Sequence, residues 1–292
     1  AAARTQGNAL NDLVDNPYAG IIASGPLAQA RVTRATLLNT YSQFLGAFGL
    51  DSWGDSVYHA ATMRIEKRFS QGLSVLGSYT YSKLIDNNLG NGNNTFADGG
   101  NNGVQNWDNL RAERAVSTSD LPQRLVLTAS YDLPFWRNAT EWYQRALGGW
   151  AVNSILTLQS GNVIGVTAPA PAFGGFRPNA VGDPGVSNPN IDGWLNRSAF
   201  STIAPFTFGN SPRNLPRTRT DGLQSVDFSL FKNVRVTERY QVQIRGEFFN
   251  LTNTPTFGNP GTFFTGGDFG VIRSLATNTG PRQVQLGLKL LF

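Results

Sequence analysis

The sequence predicts an all-β chain: an antiparallel transmembrane β-barrel segment of about seven long strands, forming an open, curved sheet. Three observations carry this reading. Seven segments alternate apolar and polar residues with a period of two, which places the two sets on opposite faces of a strand. Each segment runs 11 to 14 residues, enough for the roughly 9–11 residues that a tilted strand needs to cross hydrocarbon. Strands of soluble proteins average about 5–6 residues. The connections between the segments also alternate between short and long, as membrane barrels do.

The composition agrees. Of 292 residues, 15% are charged, 11% are aromatic, 32 are Gly and none is Cys. Soluble domains carry about 25% charge. No run of 18 apolar residues exists, so no transmembrane helix is expected. The net charge of +5 is scattered, with no dense basic stripe interleaved with aromatics, which gives nucleic-acid binding no support. Without Cys there is no disulfide framework and no thiol chemistry.

Taken in order, residues 1–56 contain turn chemistry at Asn16-Pro17-Tyr18, Gly20 and Gly25-Pro26 and no membrane-length strand. They form the first unit, an extracellular loop region, and residues 57–292 form the second, the barrel wall. In 57–69, Val57, Ala61, Met63, Ile65 and Phe69 oppose Thr62, Arg64, Glu66 and Arg68. Segment 72–84 returns after only Ser70-Gln71. In 122–135, Leu125, Leu127, Ala129, Tyr131, Leu133 and Phe135 oppose Arg124, Thr128, Ser130 and Asp132. Segments 149–160 and 224–234 follow, the second carrying Asp227. In 239–250, Tyr240, Val242, Ile244, Gly246 and Phe248 oppose Gln241, Gln243, Arg245 and Glu247. A mid-strand Arg or Lys facing lipid costs about 2–4 kcal/mol. The charged face therefore points inward, and Arg64, Glu66, Arg68, Arg124, Asp227, Arg245 and Glu247 are expected to line a polar lumen.

Connections 85–121, 161–223 and 251–281 are long; 70–71, 136–148 and 235–238 are the shorter turns. Long loops are extracellular in this architecture and short turns periplasmic. Segment Asp268–Leu275 would break that parity as a crossing, so it is expected to be a loop hairpin or strand extension. Trp136, Trp142 and Trp150 flank one inner turn, Phe69 and Phe292 end downward strands, and Tyr79 and Tyr81 lie near the outer end of an upward one, as interfacial girdles do. The last strand, 282–292, alternates Val284, Leu286, Leu288, Leu290 and Phe292 against Gln283, Gln285, Gly287 and Lys289. Its pattern, Gln285-x-Gly287-x-x-Leu290-x-Phe292, resembles the signal by which the outer-membrane assembly machinery recognises a terminal barrel strand. Seven strands are an odd number and bacterial barrels close with an even one. The chain is therefore expected to be the carboxy-terminal part of a larger barrel.

The residues Asn16-Pro17-Tyr18-Ala19-Gly20, Glu66-Lys67-Arg68-Phe69-Ser70-Gln71-Gly72-Leu73, Tyr79-Thr80-Tyr81-Ser82-Lys83 and Tyr131-Asp132-Leu133-Pro134-Phe135 follow one another in an order similar to the carboxy-terminal barrel of Oar-like TonB-dependent receptors. So do Leu147-Gly148-Gly149-Trp150 followed by Leu158-Gln159-Ser160-Gly161, Asp227-Phe228-Ser229-Leu230-Phe231-Lys232-Asn233, and Arg245-Gly246-Glu247-Phe248-Phe249-Asn250-Leu251-Thr252-Asn253 with Phe257-Gly258-Asn259-Pro260. The resemblance implies a barrel of 22 strands, an amino-terminal plug and a TonB box. It implies residence in the bacterial outer membrane and transport of an unknown extracellular ligand. Its partners would be outer-membrane lipid and lipopolysaccharide, the barrel-assembly machinery, and TonB through the plug. The matched motifs name no ligand.

Catalytic, cofactor and metal sites are not expected. His59 is the only histidine, and it shares the outward face of Val57 and Ala61, so neither a hydrolase triad nor a His-bearing metal site is available. Asp86, Asp98 and Asp108 lie in or beside an Asn/Gly-rich loop, but their spacing fits no EF-hand. Within that loop Trp107 is a candidate stacking surface for a ligand. Arg213, Arg217 and Arg219 form a candidate clamp for an anionic ligand or lipopolysaccharide phosphate. Two rival readings stay open: a surface-binding, adhesin-like barrel without transport, and a soluble all-β binding protein with a polar cavity.

Overall fold

In the computed structural model the described residues are 8–39, 42, 54–87, 104–106, 108–135, 141–170, 175–237, 239–277 and 279–292. A small hairpin of β1 (Leu13–Asp15) and β2 (Arg31–Thr33) and a one-turn helix, Arg34–Leu38, precede the main sheet. The sheet is built from β3 (Ser56–Ser70), β4 (Leu73–Asp86), the two-residue β5 (Ala115–Val116), β6 (Gln123–Asp132) and β7 (Trp150–Gln159). After the short outer pair β8 (Asn179–Ala180) and β9 (Phe200–Ser201), it continues with β10 (Leu223–Arg235), β11 (Gln241–Phe249) and β12 (Gln283–Leu291). Its order is β12-β11-β10-β7-β6-β4-β3, antiparallel throughout, with β5 paired to the outer end of β4. The seven long strands agree with the predicted segments to within three residues at every end.

Every long strand pairs with its neighbour along the chain, which makes the sheet an up-and-down meander. β3 and β4 are joined by a two-residue turn with Gln71 at φ 54° and Gly72 at φ 82°. Positive φ at both central positions is the type I′ geometry whose twist matches a hairpin, and Gly adopts it without a Cβ penalty. The 133–149 connection contains a helix, Trp142–Leu147, that alternation in the sequence did not reveal. It is nucleated by a capping box in which Glu141 and Gln144 satisfy each other's backbone N–H groups.

Directly paired residues of a ladder share a face, so the register tests the face assignment across the whole sheet. The row Ile65, Gly77, Leu127, Leu156, Val226 is one continuous set of paired positions, and the row Phe228, Phe248, Val284, one step along β10 on the same face, carries it to the far edge. It belongs to an apolar face that also carries Met63, Tyr79, Leu125, Leu158, Leu230, Ile244, Leu286 and Leu288. The opposite face carries Arg64, Thr80, Arg124, Gln159, Ser225, Asp227, Arg245, Glu247, Gln285 and Lys289. The apolar face is bare: Leu286 is 82% exposed, Leu288 76% and Met63 63%. A sheet that leaves its apolar face uncovered and gathers its charges on the other face has the layout of a barrel wall in lipid, not of a sandwich.

Trp150 and Leu158 mark the height of the apolar band. The eight residue steps from one to the other along β7 cover about 27 Å of strand, or about 21 Å along the normal at a tilt near 40°. At the inner edge the Lys232 ammonium lies 5.2 Å from the Trp150 ring centroid, an interfacial cation–π pair. Segment Asp268–Leu275 makes only isolated bridges, Gly261 with Phe269 and Phe257 with Leu275, so it is loop and not a crossing. β3 and β12 lie at opposite edges of the sheet and no ladder joins them.

In the full-length protein, Ile244→Arg is expected to cost about 2–4 kcal/mol, because Ile244 sits near mid-band on the apolar face. Arg245→Gln is expected to cost under about 1 kcal/mol, because Arg245 is half-exposed on the polar face with Glu247 and Gln243 as partners. Urea unfolding in bilayers measures both. Equal costs, or the reverse order, would place the register off by one residue.

Candidate functional site

The buried apolar cluster found among the described residues is not in the sheet. It lies beyond the outer ends of the strands, where Ile164, Val166, Leu195, Ala199, Phe200, Leu215 and Phe269 pack together with Trp194 and Phe264 against them. Phe200, Phe264 and Phe269 form a triangle with ring centroids 5.8 to 6.1 Å apart and edge-to-face or tilted planes. Phe200 comes from the β7–β10 loop and the other two from the β11–β12 loop, so this core fuses the loops of two hairpins. The Trp194 indole donates to the Arg219 carbonyl at 2.7 Å. Gly161 and Thr220 approach so closely that a Cβ on residue 161 would overlap the Thr220 carbonyl, which forces glycine where the loop leaves β7.

A second set of ties is ionic and joins the β4–β6 loop to the β7–β10 loop. Arg177 meets Glu113 with two parallel hydrogen bonds, both 2.7 Å, and the two side chains are 2% and 0% exposed. Gln105 braces the pair: its backbone N–H donates to Glu113, its side-chain oxygen accepts from the Arg177 N–H, and its amide donates to the Gly209 carbonyl. Arg213 pairs with Asp86 at the top of β4 and donates through Nε to the Glu113 carbonyl. Asp120, fully buried, accepts from the Leu84 N–H and is paired with Arg219 and with Lys83, whose Nζ lies 3.7 Å away. Asn214 donates to the Val116 carbonyl at 2.8 Å. The described parts of these three loops thus form one folded cap rather than separate arms.

This corrects the expected arginine clamp. Arg213 is 1% exposed and Arg219 16%; both are consumed by Asp86 and Asp120 and are not presented to an external anion. The reason is desolvation: carboxylates buried at the strand tops need counter-charges. Arg217 alone of the three is exposed. Asp86, considered for a cation, is occupied by Arg213 in the same way. Asp98, Trp107 and Trp136 lie outside the described residues. Among the described residues no group of three metal-ligating side chains occurs, and His59 stands exposed on β3 opposite Lys83.

On the polar face the expected lining residues share one side of the sheet. Glu66 is bridged by Arg64 at 3.0 Å and by Arg68 at 3.5 Å. Arg245 is held by Glu247 at 3.4 Å and donates to Gln243, which itself donates to Asn233. Arg124 is exposed beside them on β6. Asp227 has a structural task as well, accepting the Asn250 N–H at 2.9 Å. Asn250 and Asn253 adopt positive φ, 50° and 52°, as Asn does more readily than most residues. The Asn250 side chain bonds Thr254 in both directions and the Gly280 carbonyl, and Asn253 accepts the Arg282 N–H. The Asn250–Asn253 motif is therefore the joint that returns the chain to β12.

On β12, Gln285 and Gly287 lie on the polar face opposite Glu247 and Arg245, Leu290 on the apolar face opposite Val242, and Phe292 is 85% exposed. Nothing in the sheet demands glycine at 287: its φ is not left-handed and an added Cβ would meet Arg245 Cβ at an ordinary 3.8 Å.

Sequence reasoning did not single out Glu113, Arg177, Asp120 or Gln105, because no local spacing marks a pair whose members lie 64 residues apart. Replacing Arg177 by Ala leaves Glu113 buried without its partner and is expected to destabilise the cap by about 3–5 kcal/mol. Limited proteolysis of the full-length protein should then nick residues 104–120 and 175–215 while the barrel stays heat-modifiable on gels. A variant as resistant as the wild type would deny the pair its role.

The profile of the outer membrane beta barrel domain matches residues 4–285, nearly the whole chain. Neither the curated protein sequences nor the solved structures contain a match to it. The match agrees with the bare apolar face, the long meander and the short inner turns. The chain belongs to the outer membrane beta barrel domain family and resides in the bacterial outer membrane.

Proposed function

We propose that this chain forms wall, lumen lining and outer cap of a TonB-dependent receptor and transporter, the Oar-like group that its ordered motifs resemble. The observation that carries the reading is the open meander. Seven membrane-length strands leave two unpaired edges, β3 and β12, and each unsatisfied backbone group in hydrocarbon costs several kcal/mol. Further strands of the same barrel would satisfy them, and a wide barrel with a charged inner face needs an internal seal. The polar face supplies the wall of such a lumen, and the folded cap supplies the surface that meets ligand. The role is one of passage and recognition and needs no catalytic residue. Its partners on this reading are outer-membrane lipid, the assembly machinery acting on β12, TonB through a plug, and an extracellular ligand; nucleic acid is not among them. A surface-binding receptor without transport is the second reading, favoured by the rigidity that buried ion pairs give the cap.

Planar-bilayer conductance of the full-length protein tests this. A plugged wide barrel is expected to be silent in buffer, to open to large, stable conductance in moderate urea, and to bind the periplasmic domain of TonB. Immediate conductance would indicate an unsealed pore. Silence in urea together with no TonB binding would leave the surface receptor.

A further inference from the structure

We propose that the outer rim of the lipid-facing surface carries a groove for an outer-leaflet glycolipid, taking one acyl chain and the amide- or ester-linked sugar above it. This goes beyond the transport reading and rests only on the face assignment. A shallow, open depression of about 460 Å³ spans β4, β6, β7 and β10. Leu125 and Leu158, paired directly across the β6–β7 ladder, form its floor. Tyr79, Gln123, Ser160 and Gln224 form its rim. The Tyr79 hydroxyl donates to the Gln123 side-chain oxygen at 3.3 Å, which leaves the Gln123 amide group as a donor, and the Gln224 side chain is exposed.

The occupant follows from position and charge. The floor is continuous with the apolar band through Leu127, Leu156 and Val226, one pair-step further in. The depression therefore opens sideways to the bilayer at the level where acyl chains meet their polar linkages. A soluble ligand has no access there. The rim is neutral: amides and hydroxyls that donate and accept, as sugar hydroxyls and acyl amides require. The lysine at the outer end of this face, Lys83, is engaged by Asp120, whereas Lys67 and Lys232 lie toward the inner end. Among the described lysines of this face none is left unengaged beside the groove, and Arg124 projects from the opposite face of β6, so the rim favours the sugar–acyl junction over a phosphate-centred headgroup.

Native mass spectrometry of the full-length protein in mild detergent tests the groove with two probes, an acylated glucosamine disaccharide and phosphatidylglycerol. Wild type is expected to retain the glycolipid in preference to the phospholipid. Leu158→Trp fills the floor and should abolish retention, while Ile244→Trp, on the same face at mid-band, should retain it. The double variant Gln123→Ala/Gln224→Ala keeps the floor and should weaken retention about tenfold, which carries the test where Leu158→Trp fails to insert. Heat-modifiability on gels reports the fold of each. Retention unchanged in both groove variants, or phosphatidylglycerol held as well as the glycolipid by wild type, would overturn the proposal.

Discussion

Hydrocarbon offers no hydrogen-bond partner to a peptide group, and this one fact organises the chain. Every strand of the membrane zone must find its partners in neighbouring strands, so the sheet is a meander of long strands with no side-chain core beneath it. The same solvent reverses the usual placement of residues. Leu286, Leu288 and Ile244 lie bare on one face, where lipid satisfies them, and Arg64, Arg124 and Arg245 lie on the other, where water does. The edges β3 and β12 are the places where this constraint is not yet met within the chain, and they govern what must assemble around it.

Outside the membrane the constraint lapses and ordinary folding resumes. The outer loops have no lipid against which to hide apolar groups, so Phe200, Phe264, Phe269 and their neighbours bury one another. The cap is also where charge is buried. Arg177–Glu113 and Arg213–Asp86 bring little net stability, since desolvation offsets most of their attraction, but separating either pair is costly. Apolar packing among loops tolerates slippage by a residue; a bidentate arginine–carboxylate pair does not. The ion pairs thus fix which loop meets which, and they attach the cap to the strand tops through Asp86 and through the Asp120 contact with Leu84.

How much of this was legible depended on whether the signal was local. Period-two alternation is written in consecutive residues, and one buried or lipid-facing side makes its phase unambiguous, so the seven strands, both faces and the placing of Arg64, Glu66, Arg245 and Glu247 together on the polar face could be read directly. The inner helix at Trp142–Leu147 was missed because six residues are too few to show a helical period and its capping box uses Glu and Gln rather than the more familiar Ser or Thr. The cap was missed for a different reason. Arg213 and Asp86 are 127 residues apart, and a loop rich in Gly, Asn and Pro reads as solvated whether or not it folds on its neighbours. Three arginines close in sequence suggested a shared ligand; only their separate acidic partners, invisible locally, show that two of them are internal fasteners.

The two charged regions also differ in how their ion pairs are made. In the cap, ion pairs link distant segments and are dry. On the polar face of the sheet the pairs are short-range and wet: Arg64 with Glu66, Arg68 with Glu66, Arg245 with Glu247, each two residues apart on one strand and each partly exposed. Such pairs contribute little to stability, and they neutralise the wall locally without tying it to anything across the lumen. A surface of this kind presents hydrogen-bonding groups and a modest excess of positive charge, with Arg64 and Arg68 sharing Glu66 and with Arg124 and Lys289 exposed on the same face. Among the described residues the buried, directional ion pairs lie in the cap, which they hold to one shape, and the short-range, solvated ones lie on the polar face of the sheet, which they leave free to move.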